Sequence, residues 1–300
     1  MRYKNILVTG GSGMVGKSLK NIMPNADYYS SSHLNLLNEK DVELHMTRKK
    51  YDVVIHLAAK VGGIIDNINK PVDYFEENLI MNTNIIRWSH LTGVKRFIGI
   101  LSTCIYPDKV DTYPMTEEML HQGPPTPTNF SYGYAKRCLA VQIDAYNKQY
   151  GTNYQYLIPC NLYGENDKFG ENSHFIAALV KKIVKMQEDG TNTLELFGTG
   201  KPLRQFMHSD DLAWVIKECL DKNIYESFNV ATEENLSIRE MAEIAISSCG
   251  LKNVKINFDS TKPDGQYRKD VSIDKLKGLL PKFKTLPLSE GIKKVYDKIS

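Results

Sequence analysis

Short apolar runs and longer amphipathic stretches alternate along the chain. Residues 5–8 form a β-branched-rich run, followed by a glycine turn and a helical pattern over Met14–Ile22. Residues 53–57, 96–101 and 154–158 are further apolar runs of strand length. Helical patterns lie between them, notably Pro71–Leu91 and residues 132–150. Strands that alternate with helices predict parallel βαβ units, with helices covering both faces of one sheet.

The rhythm changes after about residue 161. A stretch rich in glycine, asparagine and acids (163–172) precedes a helical pattern from 174 to about 189, a strand at Thr193–Phe197 and a helix at 210–219. Residues 237–249 read as helical, followed by short strands and a terminal helix. The expected fold class is α/β: a Rossmann-type, doubly wound parallel sheet with a smaller carboxyl-terminal α/β lobe that takes the substrate. Residues 1–165 with about 202–232 are assigned to the sheet domain, and about 166–201 with 233–300 to the lobe. A length of 300 residues suits one large domain plus such a lobe, at roughly 100–200 residues per domain.

Composition narrows the class. The chain is 42% hydrophobic and 24% charged, with a net charge of only +3, so bulk charge points to neither nucleic acid nor an anionic membrane. No apolar stretch approaches the ~20 residues that cross a bilayer. Five scattered cysteines form no C-x-x-C pair, which argues against a disulfide framework or a thiolate zinc site. The first residues enter a strand without a signal-like apolar region, and a soluble protein of the reducing cytoplasm is expected.

Thr9-Gly10-Gly11-Ser12-Gly13-Met14-Val15-Gly16 follows a strand and opens a helix. Gly10 permits the tight turn, Gly13 lets backbone approach a pyrophosphate, and Gly16 allows close helix–sheet packing, while the helix start offers N–H groups and positive dipole. An NAD site places an acid at the tip of the second strand. Here Asp27 is followed by Tyr28-Tyr29-Ser30-Ser31-Ser32-His33. A strand ending near Tyr29 has hydroxyls at its tip and no carboxylate to repel a 2′-phosphate, which favours NADP(H).

Tyr132-Gly133-Tyr134-Ala135-Lys136 holds a tyrosine and a lysine four apart at the start of a helical pattern. That spacing puts both on one face, where an ammonium lowers a phenol's pKa from about 10 towards the range of an acid–base catalyst. Ser102, at the end of an earlier strand, supplies a hydroxyl to complete a triad. Cys104, two residues further in an extended segment, is expected to face the same side. Its reference pKa of about 8.5 suits a base, and a nearby cation would lower it. His174 is expected at a helix start, where the dipole depresses an imidazole's pKa and works against an acid. His56 lies inside a strand and reads as a satisfied core residue. His33, His45, His90, His121 and His208 share no metal-ligand spacing, and no metal is expected.

These features together resemble the extended short-chain dehydrogenases/reductases. The likeness runs nearly end to end and is strongest in His56-Leu57-Ala58-Ala59-Lys60-Val61-Gly62-Gly63, Ser102-Thr103-Cys104-Ile105-Tyr106-Pro107, Asn161-Leu162-Tyr163-Gly164, residues 198–206 and Lys262-Pro263-Asp264-Gly265. Within that family it resembles the branch that performs 3,5-epimerisation of GDP-4-keto-6-deoxy-D-mannose followed by NADPH-dependent 4-keto reduction. The resemblance makes Tyr132 the proton donor for reduction, assisted by Lys136 and Ser102, with Cys104 and His174 as epimerising base and acid. It implies cofactor contacts from Gly10, Gly13, Met14, Val15, Gly16, Ser30, Leu57, Ala58, Ala59, Leu101, Tyr132, Lys136, Cys160, Asn161 and His174. Substrate contacts are implied for Val61, Gly62, Thr103, Asn161, Lys182, Phe197, Arg204, Asp264 and Lys269.

Lys182 stands where arginine occurs in some relatives, a weaker bidentate grip on phosphate. Phe197 stands where tryptophan occurs, and offers less stacking surface. Both departures bear on the sugar more than on the nucleotide. The nearest alternative is a 4-keto reductase with little or no epimerisation, or one acting on a related GDP-4-keto-6-deoxy sugar such as a heptose. A 4,6-dehydratase on this scaffold would carry an acid beside the strand-end hydroxyl, whereas Thr103 is followed by Cys104 and Ile105. A non-catalytic NADP sensor has no need of a complete Ser-Tyr-Lys set. The long helical patterns Pro71–Leu91 and 132–150 pair across a two-fold axis in related reductases, so a homodimer is expected by resemblance.

Overall fold

Runs of Val, Ile and Leu that are apolar on both faces form a sheet only where both faces are covered. In the computed structural model, which describes residues 3–170, 173–262 and 264–300, six parallel strands do so. Their spatial order is Asp27–Tyr29, Ile6–Thr9, Val53–His56, Arg96–Ile100, Tyr154–Pro159, Phe228–Val230. Every residue of Ile6–Thr9, Val53–His56 and Arg96–Ile100 is buried. Helix Met14–Ile22 packs with Ser209–Asp221, and Pro71–Leu91 packs with Phe130–Tyr150. The chain leaves Ile6–Thr9 towards Asp27–Tyr29, then returns to the other side through Val53–His56. The order therefore reverses between Ile6–Thr9 and Val53–His56, where doubly wound sheets open a ligand crevice at the strands' carboxyl ends.

A second apolar core joins Ile176, Leu179, Val180 and Ile183 to Leu194, Leu196, Met241, Ala245, Ile292 and Val295. It holds the parallel pair Thr193–Phe197 and Lys255–Asp259, flanked by helices Phe175–Glu188, Ile238–Ser248 and Leu288–Ile299. Ser237 and Glu240 cap Ile238–Ser248 reciprocally. The parallel pair Asn161–Tyr163 and Phe206–His208 carries the chain away from the sheet and back to it.

The predicted elements are present with boundaries shifted by a few residues: the first strand is Ile6–Thr9 and the long later helix is Phe130–Tyr150. Phe228–Val230, too short to show a period, was not separately predicted. Met1, Arg2, Glu171, Asn172 and Pro263 lie outside the described residues. Among the described residues, no helix is long and apolar enough to cross a membrane.

Candidate active site

The crevice floor is the glycine turn. Gly10 has φ +70°, and a Cβ there would lie 2.7 Å from the backbone nitrogen of Ala58, so the turn sits directly against the end of Val53–His56. At Gly11 a Cβ would meet Tyr28 at 2.7 Å, which seats the turn on the second strand as well. Gly16 behaves differently from expectation. Its Cβ would strike the Gly11 carbonyl at 2.5 Å, so it closes the helix start onto the turn itself and not onto the sheet. Helix Met14–Ile22 begins at Gly13 with no side-chain cap and no acid in its first turn. Its first N–H groups and dipole thus suit a diphosphate.

The second strand ends at Tyr29, and Ser30 stands at its tip, 2.7 Å from both Ser32 Oγ and His33 Nδ1. Asp27, at the strand's opposite end, pairs with Lys49 at 2.5 Å. The tip residue is a hydroxyl and the nearby acid is neutralised, which fits a cofactor with a 2′-phosphate. His56 is fully buried between Thr9 Oγ1 (2.8 Å) and Asn82 Oδ1 (2.9 Å), and burial pushes its pKa down to about 3. It is the neutral core residue anticipated.

Ser102 follows the fourth sheet strand, but the backbone does not continue extended. Thr103–Ile105 is a single 3-10 turn, capped by Ser102, whose Oγ accepts from the Cys104 N–H at 3.3 Å. Strand alternation therefore does not orient Cys104, contrary to expectation; a capped turn does, and it buries Thr103 while leaving Cys104 half-buried. Two features of helix Phe130–Tyr150 hold that turn. Gly133 approaches so closely that a Cβ would lie 2.7 Å from the Cys104 carbonyl oxygen. Arg137, 7% exposed, donates from Nε to the Ile105 carbonyl at 2.9 Å and from Nη1 to Gly123 O at 2.9 Å. Neither residue was singled out from the sequence, where a glycine and an arginine in a helix carry no such signal.

Tyr132 and Lys136 share the helix face as their spacing requires. The expected electrostatics differ. Lys136 is 2% exposed and donates to the Ile100 carbonyl at 2.8 Å, and burial pulls its pKa down to about 8. Burial, then the neighbouring Cys104 and Tyr74, raise the Tyr132 phenol well above its ordinary value. Desolvation is the largest cause of both shifts, and the expected lowering of the phenol by the lysine is not found. Tyr74 stands edge-on to Tyr132, ring centroids 6.3 Å apart. Its own hydroxyl donates to Asp66 at 2.6 Å and lies where a Cβ on Gly62 would fall.

From the carboxyl-terminal half, Lys269 brings its ammonium 3.8 Å from the Cys104 sulfur. Arg204 is held by the Leu203 carbonyl at 2.7 Å, and burial lowers its pKa. Arg268 is committed to Asp270 at 2.6 and 2.9 Å. Asp264 accepts from the Thr199 N–H (2.6 Å) and hydroxyl (2.8 Å), which braces the loop after Thr193–Phe197. Phe197 is 66% exposed, with the ammoniums of Lys182 and Lys262 at 5.0 and 6.0 Å from its ring centre. Asn161 is tied through its amide to Gln205 O at 2.9 Å, and burial raises the Cys160 thiol to about 12.

His174 stands, exposed, at the residue before helix Phe175–Glu188 and makes no cap bond to it; its Nδ1 lies 2.8 Å from Asp167 Oδ1. Its pKa is raised, chiefly by that hydrogen bond. The helix dipole was expected to depress it; a carboxylate in direct contact overrides a dipole of partial charge.

A parallel sheet with an open glycine turn at its switch point, facing a tyrosine–lysine pair, is the framework of a nicotinamide-dinucleotide enzyme. The chain belongs to the NAD dependent epimerase/dehydratase family, whose model matches residues 6–231. Within it, the chain is similar to GDP-L-fucose synthase of Dictyostelium discoideum, 38% identical over 97% of this chain and 93% of that protein. A GDP-L-fucose synthetase from Naegleria fowleri bound to NADP matches with a TM-score of 0.88 at 35% identity, covering 98% of this chain and 92% of the other. GDP-mannoheptose C4 reductase from Campylobacter jejuni, with NADP bound, matches with a TM-score of 0.87 at 27% identity over 99% and 98%.

Proposed function

We propose that the protein converts GDP-4-keto-6-deoxy-D-mannose to GDP-L-fucose, inverting C3 and C5 and then reducing C4 with NADPH. The observation that carries this reading is the meeting of a thiol, a phenol and an ammonium from three distant segments: Cys104, Tyr132 and Lys269. A plain ketone reductase has no use for that thiol.

The C4 ketone acidifies the hydrogens on C3 and C5, so inversion needs a base on one face and an acid on the other. Cys104 is the base, its sulfur accepting from the Lys269 ammonium, and His174 is the acid. The negative charge gathers on the C4 oxygen, where the Ser102 hydroxyl and the Tyr132 phenol donate. Ser102 Oγ accepts from the Cys104 N–H, which leaves its own proton free for that oxygen. NADPH, when bound, supplies the hydride to C4. Tyr132 then gives its proton to the C4 alkoxide, and the buried Lys136 lends positive charge beside it. The glycine turn, Met14, Val15, Ser30, Leu57, Ala58, Ala59, Leu101 and Cys160 form the cofactor's bed. Phe197, flanked by Lys182, offers a stacking face to the GDP-sugar. Arg204 supplies charge for the diphosphate, while Val61, Gly62, Thr103, Asn161, Asp264 and Lys269 line the sugar end.

The likeness to the heptose reductase favours one alternative, a C4 reductase without epimerisation. Turnover in heavy water separates the two. Deuterium at both C3 and C5 with a fucosyl product is expected; reduction with no deuterium at either carbon overturns the reading. We further propose a cytoplasmic homodimer, formed through Pro71–Leu91 and Phe130–Tyr150, which present Val72 (61% exposed) and Val141 (51%) to solvent. Sedimentation of a monomer at micromolar concentration would refute the pairing.

A further inference from the structure

Nδ1 of His174 lies 2.8 Å from one oxygen of Asp167 and 3.0 Å from the other. An ionised carboxylate only accepts, so Nδ1 carries a proton, and Nε2 is the nitrogen left for other work. The Asp167 side chain is 3% exposed and that of His174 is 44% exposed, so a fixed buried partner holds a ring that solvent reaches. Asp167 is itself built in. Its Oδ1 accepts from the Lys168 N–H at 2.8 Å, and its own N–H donates to Gly164 O at 3.1 Å. The surrounding loop is tied at two points. Glu165 accepts from Nε2 of the buried His208 at 3.0 Å, and Lys181 donates to Phe169 O at 3.1 Å. His208 Nδ1 accepts from the Asp210 N–H, which leaves Nε2 as the ring's donor to Glu165.

We propose that Asp167 is a positioning residue for His174: it fixes the Nδ1–H tautomer, leaves Nε2 as the donor to the sugar carbon, and supplies the counter-charge of the imidazolium. The role rests on His174 being the epimerising acid. Three features oppose a protonated ring here: partial burial, the neighbouring Lys168 and the start of helix Phe175–Glu188. Asp167 outweighs them, and the pKa of His174 is raised on balance. In each inversion Cys104 takes the proton from C3 or C5 and Nε2–H delivers one to the opposite face of the enolate. The ring is left neutral with Nδ1–H still on Asp167; before the next inversion the Cys104 thiol releases its proton to water and Nε2 regains one from water. One acid can therefore serve both carbons in turn.

Asp167→Asn keeps an acceptor and removes the charge. The expected result has two parts. The His174 Cε1–H resonance titrates at lower pH than in the unsubstituted protein, and Asp167→Glu restores it. Deuterium incorporation at C3 and C5 at pH 8 falls at least ~10-fold, part of the ~10²–10⁴ that a positioned acid contributes, with the loss shrinking at pH 6. An unmoved titration, or undiminished exchange at pH 8 in Asp167→Asn, overturns the role while leaving the epimerase reading intact. An unsubstituted protein that never exchanges deuterium overturns that reading, and this role with it.

Discussion

The Lys269 ammonium stands 3.8 Å from the sulfur of Cys104, 165 residues away in the chain. The ammonium donates to that sulfur and fixes its direction in the crevice, where Cys104 is the proposed base. Removing it by Lys269→Met should slow deuterium exchange roughly 10-fold by freeing the sulfur from its fixed direction. Cys104→Ser should abolish exchange while some reduction of an already epimerised ketosugar survives. Exchange that continues unchanged in Cys104→Ser would reassign the base.

In the proposed reaction Tyr132 is the donor for reduction, and its raised pKa means it enters fully protonated. Tyr132→Phe should cut NADPH oxidation with the epimerised ketosugar by ~10²–10⁴-fold, the usual worth of a positioned proton donor. Stopped-flow absorbance at the reduced nicotinamide band measures this directly. A loss below about 10-fold would mean that another group donates.

Much of this framework was legible in the sequence. The glycine turn, the strand-end serine and the Tyr–Lys pair are local patterns that spacing alone picks out, while their roles were implied by the resemblance. The first five sheet strands announce themselves by β-branched runs or by the turn residues after them. What was not legible depends on tertiary approach. Cys104 was placed by strand alternation, yet a 3-10 turn sets its direction, because Ser102 satisfies the Cys104 N–H locally. Gly11, Gly133 and Arg137 matter only once a neighbouring backbone is known to lie against them. The Asp167–His174 pair closes a loop seven residues long, and an acid-rich loop offers several candidates for such a contact. Desolvation was the other blind spot: spacing puts Lys136 and Tyr132 on one helix face, but does not show that Lys136 is buried.

Burial costs the charged form of Lys136, and this makes stability depend on pH. Its folded pKa of about 8 lies below the unfolded value of 10.5. The unfolded chain therefore binds more protons between those values, and the cofactor-free protein should gain stability as pH rises through that window. The full gain is about 3 kcal/mol. Below about pH 8 the lysine is charged in both states and its burden is constant. Urea denaturation at pH 7 and pH 9.5 should show the rise, and Lys136→Met should flatten it. The same substitution should raise the urea midpoint at pH 7 while reducing turnover. A lower midpoint at pH 7 would mean that the hydrogen bond to Ile100 outweighs desolvation.

Gly133 sets how near the catalytic helix comes to the Cys104 turn. A methyl group there would sit 2.7 Å from the Cys104 carbonyl and 2.8 Å from Pro125 Cβ, so backbone must move. Gly133→Ala should destabilise by ~1–3 kcal/mol, as overpacking commonly does. It should lower deuterium exchange more than it lowers NADPH affinity, since the glycine turn lies on other strands. Equal losses in both would place the disturbance in the sheet.

The choice between cofactors turns on Ser30. At the tip of the second strand it offers a hydroxyl, and Asp27 is already neutralised by Lys49 at the far end. A carboxylate at position 30 would repel a 2′-phosphate and accept from the two ribose hydroxyls of NADH instead. Ser30→Asp should therefore lower the ratio of kcat/KM for NADPH to that for NADH by roughly 10-fold or more, equivalent to about 1.4 kcal/mol. The change should fall mainly in KM, because the ribose lies far from the hydride. Deuterium exchange needs no hydride transfer and should persist once either cofactor is bound. A ratio that does not move would mean that the 2′-phosphate is met by a different part of the crevice wall.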